Sequence, residues 1–146
     1  MEEDLLELLT FFSRIFAEQV TKYSFNGTIL GKDAFILDYI GKNQDCTQKD
    51  LVKTLYLSKS GASRRVNKLI NQNFVIRSKR EVDNRWENLQ LTELGLEVYT
   101  DFREHRKGFL NLLTYKLKID EVKAFYNVLS HFRTTVESSS PKKKMK

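Results

Sequence analysis

Between Thr47 and Thr92 the hydrophobic pattern changes period, and that change limits the possible folds more than any other feature of the chain. Thr47, followed three residues later by Asp50, has the form of a capping box, and Leu51, Val52 and Leu55 turn one face of a short helix inward. After the turn at Tyr56-Leu57, Ser58 caps a second helix running to about Gln72, in which Ala62, Val66, Leu69 and Ile70 share one face. Asn73 stands where a helix commonly ends in a left-handed residue, a conformation Asn tolerates well. From there the period falls to two. Phe74, Ile76 and Ser78 alternate with Val75, Arg77 and Lys79, and Leu89 and Leu91 alternate with Asn88 and Gln90, which predicts two strands around a tip from Glu81 to Arg85.

The flanks are helical. Residues 4–23 place Leu5, Leu8, Leu9, Phe12, Ile15, Phe16, Val20 and Tyr23 at helical spacing, and Asn26-Gly27 marks the turn that ends this segment. A helix from Leu30 to Lys42 is expected to bury Ala34, Leu37 and Ile40. Phe35 and Tyr39 lie on an adjoining face, either as core packing or as the wall of a ligand pocket. Beyond Thr92 a long helix to about Leu117 points Leu94, Val98, Phe102, Phe109, Leu112 and Leu113 inward, and a last one from Asp120 to Val136 carries Val122, Phe125, Tyr126, Leu129 and Phe132. The fold class expected is mainly α with a small β-wing, a winged helix-turn-helix. The first helix and the last two carry more apolar surface than so small a core can cover, and pairing of two copies is the simplest remedy.

Composition bounds the function. Apolar residues make up 40% of the chain, with 10 Phe, 6 Tyr, 6 Gly and 1 Pro, which favours long helices over a loop-rich fold. No apolar run is long enough to span a membrane, and the acidic start at Glu2, Glu3 and Asp4 is unlike a cationic signal peptide, so a cytoplasmic protein is expected. Cys46 is the single cysteine, which agrees with a reducing compartment; as a lone thiol it is read as inert. Charge is unevenly spread: residues 42–85 carry a net +7, the tail after Pro141 a further +4, and the remainder −5. Basic charge gathered on one unit of an otherwise acidic chain is the footprint of a polyanion-binding module, although a solvated Lys-rich face looks the same in composition alone.

The chemistry of the second helix separates those readings. Opposite its apolar face fall Ser60, Arg64, Asn67, Lys68 and Asn71, flanked by Ser63 and Arg65, and the candidate major-groove contacts are Ser58, Lys59, Ser60, Ser63, Arg64, Asn67 and Lys68. Small hydroxyls near a helix N-terminus permit close approach to phosphate, and Arg and Asn can read guanine and adenine edges. Lys79, Arg80 and Arg85 at the ribbon tip suit a phosphate backbone or a narrow minor groove. No Gly-rich phosphate loop, metal-ligand cluster or nucleophile motif occurs, so an enzyme is not expected and no metal or cofactor is predicted.

The segment Asp83-Asn84-Arg85-Trp86-Glu87-Asn88-Leu89-Gln90-Leu91-Thr92-Glu93-Leu94-Gly95 resembles the wing signature of MarR-type transcriptional regulators, and Leu57-Ser58-Lys59-Ser60-Gly61-Ala62-Ser63-Arg64 resembles the start of that family's recognition helix. The resemblance covers most of the chain and implies a homodimer on double-stranded DNA, with recognition helices in successive major grooves of a pseudo-palindrome. It further implies that Arg85 enters the minor groove, with Asp83 orienting it. On this reading residues 1–29 and 96–137 form a helical dimerisation region, 30–95 the winged DNA-binding lobe and 138–146 a disordered basic tail. Relatives that bind small aromatic effectors suggest a pocket among Phe12, Phe16, Phe35, Tyr39 and Phe102, each of which also fits plain core packing. Two positions depart from the commoner pattern: Asn73-Phe74 replaces Gly-Leu or Gly-Ile, and Gly61 puts a flexible residue into the recognition helix at a cost of about 1 kcal/mol against Ala. The function implied is a repressor, relieved by a small ligand. The alternative is a winged-helix accessory or adaptor protein that binds DNA non-specifically or binds another regulator.

Overall fold

A computed structural model describes residues 1–79 and 87–139, with the side chains of Lys79 and Glu87 left aside. The elements in chain order are α1 (Glu2–Thr21), β1 (Ser24–Phe25), β2 (Thr28–Ile29), α2 (Asp33–Lys42), β3 (Cys46–Thr47), α3 (Gln48–Thr54), α4 (Lys59–Asn71), β4 (Val75–Lys79), β5 (Glu87–Leu91), α5 (Glu93–Thr114) and α6 (Ile119–Ser139). This is the mainly helical winged helix-turn-helix anticipated from the change of period. The chain divides into two compact units, Met1–Arg103 and Glu104–Lys146.

The first unit holds the core. Leu37, Ile40, Leu51, Val66, Leu69, Val75, Leu89, Val98 and Phe102 are fully buried, so every element from α2 to α5 contributes to one apolar cluster. Phe102 sits in it against Tyr23 at 4.8 Å and edge-on to Phe35 at 5.5 Å between ring centroids. The three-stranded sheet has the order β3-β5-β4, antiparallel throughout, with Val75 opposite Leu91 and Cys46 opposite Leu89.

Local chemistry sets the element boundaries. The Thr47 hydroxyl accepts from the Asp50 amide at 3.2 Å while the Asp50 carboxylate accepts from the Thr47 amide at 2.9 Å, a reciprocal cap on α3. Asn73 takes φ +65°, which turns the chain from α4 into β4. The Thr92 hydroxyl donates to the Asn73 carbonyl at 2.6 Å and accepts from the Gly95 amide at 3.0 Å, so one side chain caps α5 and clamps the sheet's entry. Gly95 lies so close to this junction that a Cβ there would run into the Phe74 carbonyl oxygen.

Several boundaries differ from the sequence reading. Asn26 and Gly27, at φ +48° and +80°, make a tight two-residue turn between β1 and β2; the sequence predicts the turn alone, because two-residue strands have no period to detect. α2 begins at Asp33 and not at Leu30, since Gly31 at φ +53° keeps the preceding residues out of the helix. Tyr23 lies beyond the end of α1, buried, with its hydroxyl donating to Asp101 at 2.7 Å. α6 extends to Ser139, past the expected end at Val136, and residues 140–146 of the basic tail lie outside the described residues.

Neither α1 nor α6 buries a single residue within the chain. The inward positions expected of Leu94, Leu112 and Leu113 in α5 are exposed, as are Val122, Phe125, Tyr126, Leu129 and Phe132 of α6.

Candidate nucleic-acid interface

α4 presents the polar face. Its buried side is Gly61, Ala62, Val66 and Leu69. Ser58, Lys59, Ser60, Arg64, Asn67 and Lys68 are exposed, and Ser63 is half-buried. The sequence-predicted residues of this helix therefore come together on one surface. Ser58 begins it: its hydroxyl accepts from the Gly61 amide at 3.0 Å and lies 3.5 Å from the Ser60 hydroxyl.

Gly61 has a physical reason to be glycine. A Cβ there would lie 2.8 Å from the capping Ser58 Oγ, which would have to shift out of its hydrogen bond. Because Gly61 falls in the first turn, held by that cap, it does not leave the middle of the helix loose.

The basic residues of α4 divide into two sets. Asp33, only 5% exposed, accepts from Arg65 Nη1 at 2.7 Å and from Lys68 Nζ at 3.3 Å, tying the start of α2 to α4. Lys68, expected to serve DNA alone, thus has an internal partner as well. Among the described residues Lys59 and Arg64 have no ion-pair partner and carry their charge outward.

The sequence places Arg77 only in an alternating strand and gives it no part in the site. Its guanidinium Nη2 donates to Asn67 Oδ1 at 2.8 Å and to Gln48 Oε1 at 3.3 Å, joining β4 to the exposed side of α4. Spacing along the chain carries no signal of that bond. Of the predicted wing residues, Lys79 ends β4, while Arg80, Asp83 and Arg85 lie outside the described residues.

A cavity of about 360 Å³ opens behind α4 in the first unit. Phe16, Ala17 and Val20 of α1 form one wall, Lys32, Phe35 and Ile36 another, and Leu55, Leu57 and Arg65 close it. Two of the five candidate pocket residues, Phe16 and Phe35, line it. Phe102 does not, because it is buried beneath Phe35 in the core. Phe12 stands beside Phe16, with ring centroids 6.2 Å apart, and Tyr39 accepts from the Thr54 hydroxyl at 3.4 Å.

Cys46 is buried, and its thiol is pushed up to about 11 by burial, with the charges of Asp50 and Asp45 adding to the rise. A thiol held protonated at neutral pH is a poor nucleophile.

Comparison with known proteins returns one consistent likeness. A model of the MarR family matches residues 28–85. The HTH-type transcriptional regulator BilQ of Clostridium symbiosum (strain WAL-14163) is 26% identical over 137 residues, spanning 90% of this chain and 94% of that protein. The HTH-type transcriptional regulator YwhA of Bacillus subtilis (strain 168) is 29% identical over 96 residues, 66% of this chain and 69% of its own length. Among solved structures, FabT of Streptococcus pneumoniae in complex with DNA superposes with a TM-score of 0.77 at 20% identity, over 94% of this chain and 95% of that one, a likeness of fold.

Proposed function

We propose that this chain is a transcriptional regulator of the MarR family, whose model matches residues 28–85, and that it acts as a homodimeric, sequence-specific DNA-binding repressor on a pseudo-palindromic operator. The observation that carries this reading is the exposed face of α4, where Lys59 and Arg64 keep their charge outward while Arg65 and Lys68 brace the helix on Asp33. In this role Ser58, Lys59, Ser60 and Ser63 meet phosphates and Arg64 and Asn67 meet base edges. Lys79, Arg80, Asp83 and Arg85 of the wing serve the flanking minor groove. The DNA-bound form of FabT, which shares the fold, supports the same approach to the duplex.

The dimer is supported by apolar surface that one chain leaves in water. Leu5, Leu8, Leu9 and Phe12 of α1 and Phe125, Leu129 and Phe132 of α6 are all exposed, and burying large aliphatic and aromatic side chains contributes about 1.5–3 kcal/mol each. Relief by a small aromatic effector is supported by the Phe16 and Phe35 walls of the cavity, which Arg65 connects to α4. A cytoplasmic location follows from the proposed work on DNA; among the described residues no helix is long and apolar enough to cross a membrane.

Footprinting tests the arrangement. Two protomers should protect one compact site containing two half-sites roughly one helical turn, about 10 base pairs, apart. Protection spread evenly along any duplex would instead favour a non-specific accessory protein.

A further inference from the structure

The bond between Arg77 and Asn67 decides which end of an amide faces the groove. Arg77 Nη2 donates to Asn67 Oδ1 at 2.8 Å and to Gln48 Oε1 at 3.3 Å, so one guanidinium spans β4, α4 and the first residue of α3. A guanidinium has donors only, which means that it can face only the oxygen of the Asn67 amide. The oxygen is turned toward Arg77 and the NH₂ group is turned away.

That orientation bears on base choice. An asparagine reads adenine by placing both ends of its amide on one base edge, the oxygen accepting from N6 and the nitrogen donating to N7. Arg77 takes one of the two lone pairs of that oxygen and turns it toward the strand, so the end of the Asn67 amide left for a base edge is the NH₂ donor. Both side chains are exposed in the free protein, where water competes for this bond; under a bound duplex the water is displaced and the bond strengthens.

We propose that Arg77 is a positioning residue that holds Asn67 as a hydrogen-bond donor, so that the base beneath it is chosen for an acceptor edge, guanine O6 and N7 or thymine O4, over adenine. The inference rests on the DNA-reading role proposed above for α4. Arg77 itself need not reach a base. Its exposed position on the strand leaves the core untouched by substitution, so Arg77→Met should unfold at the wild-type temperature.

The test is a set of parallel selections from random duplexes with the full chain, using wild type, Arg77→Met, Arg77→Lys, Asn67→Ala and the Arg77→Met/Asn67→Ala double variant. Wild type should favour guanine or thymine at one position of each half-site. Arg77→Met should raise adenine there about tenfold relative to wild type and leave the other positions alone. Arg77→Lys keeps the charge but loses the planar fork, and should shift the same position in the same direction by a smaller factor. In the Asn67→Ala background Arg77→Met should change nothing further at that position, because the residue it acts through is gone. Uniform weakening on all duplexes with an unchanged profile would overturn the proposal and make Arg77 a phosphate contact. So would an adenine gain that persists without Asn67. A wild-type protein that enriches no sequence overturns the regulatory reading beneath the inference, whereas enrichment with an unaltered Arg77→Met profile overturns the inference alone.

Discussion

Asp33 shows how one buried carboxylate divides the basic residues of a helix by role. It holds Arg65 at 2.7 Å and Lys68 at 3.3 Å and leaves Arg64, the residue just before Arg65, to face outward. Arg64→Ala should therefore relax base preference at a cost of about 1–3 kcal/mol on preferred DNA with no loss of fold, as read from binding curves on preferred and random duplexes. Asp33→Asn removes a charged acceptor from beneath two cations and should lower stability by about 1.5–3 kcal/mol, visible as a fall in the urea midpoint with an unchanged slope. Cys46 and Tyr23 add a pH prediction. Both are acids held in their neutral form, Cys46 raised from 9.0 to about 11 by burial and Tyr23 raised by burial and by its hydrogen bond to Asp101. Their contribution is complete below the unfolded values and is lost as pH rises, because the unfolded chain ionises first. Stability should be level through neutral pH and decline from about pH 9 to 11, and Cys46→Ala should flatten part of that decline; a urea midpoint that stays constant to pH 11 in the wild type would contradict it. The outward face of α4 was legible in the sequence because helical spacing gives it away. The Asp33 bridge and the Arg77 bond were not, since each joins residues that only the fold brings together.

At the scale of elements, what could be read in advance was what a side chain does to its own backbone. Thr47 with Asp50, Ser58 at the head of α4 and Asn73 at φ +65° are local bonds or local dihedrals, and each was legible in residue type and spacing. The strand β3 and the hairpin of β1 and β2 were not, because a two-residue strand exists only through its partner. Gly95 belongs with the second kind. The sequence marked it as part of a motif, while the reason lies in the Phe74 carbonyl that α5 approaches as it leaves Thr92. Gly95→Ala should cost about 1–3 kcal/mol as overpacking, against the gain of up to about 1 kcal/mol that helix propensity alone would forecast. Thermal unfolding gives the sign, and a raised midpoint would show that α5 can move away from the strand. Gly61→Ala should also bring none of the usual gain, since it displaces the Ser58 cap.

For the whole molecule, the exposed apolar faces of α1 and α6 are the feature that one chain cannot explain. α1, with Leu5, Leu6, Leu8, Leu9, Phe11, Phe12 and Phe16 all exposed, presents an apolar face of the kind that marks an interaction surface, and the proposed dimer would cover it. Sedimentation should give a dimer, and Phe132→Asp should shift it toward monomer or aggregate by placing a charge on an apolar face. The amphipathic patterns of these helices were visible from the sequence; the extent to which the chain leaves them uncovered needed the fold. Dimerisation, the α4 face and the wing charges serve a single claim, that two copies read one duplex by its sequence. The ratio of affinities for a selected duplex and for random DNA of equal length, at physiological salt, measures that claim most directly. The account predicts a ratio of about a thousand or more, and a ratio near one would contradict it.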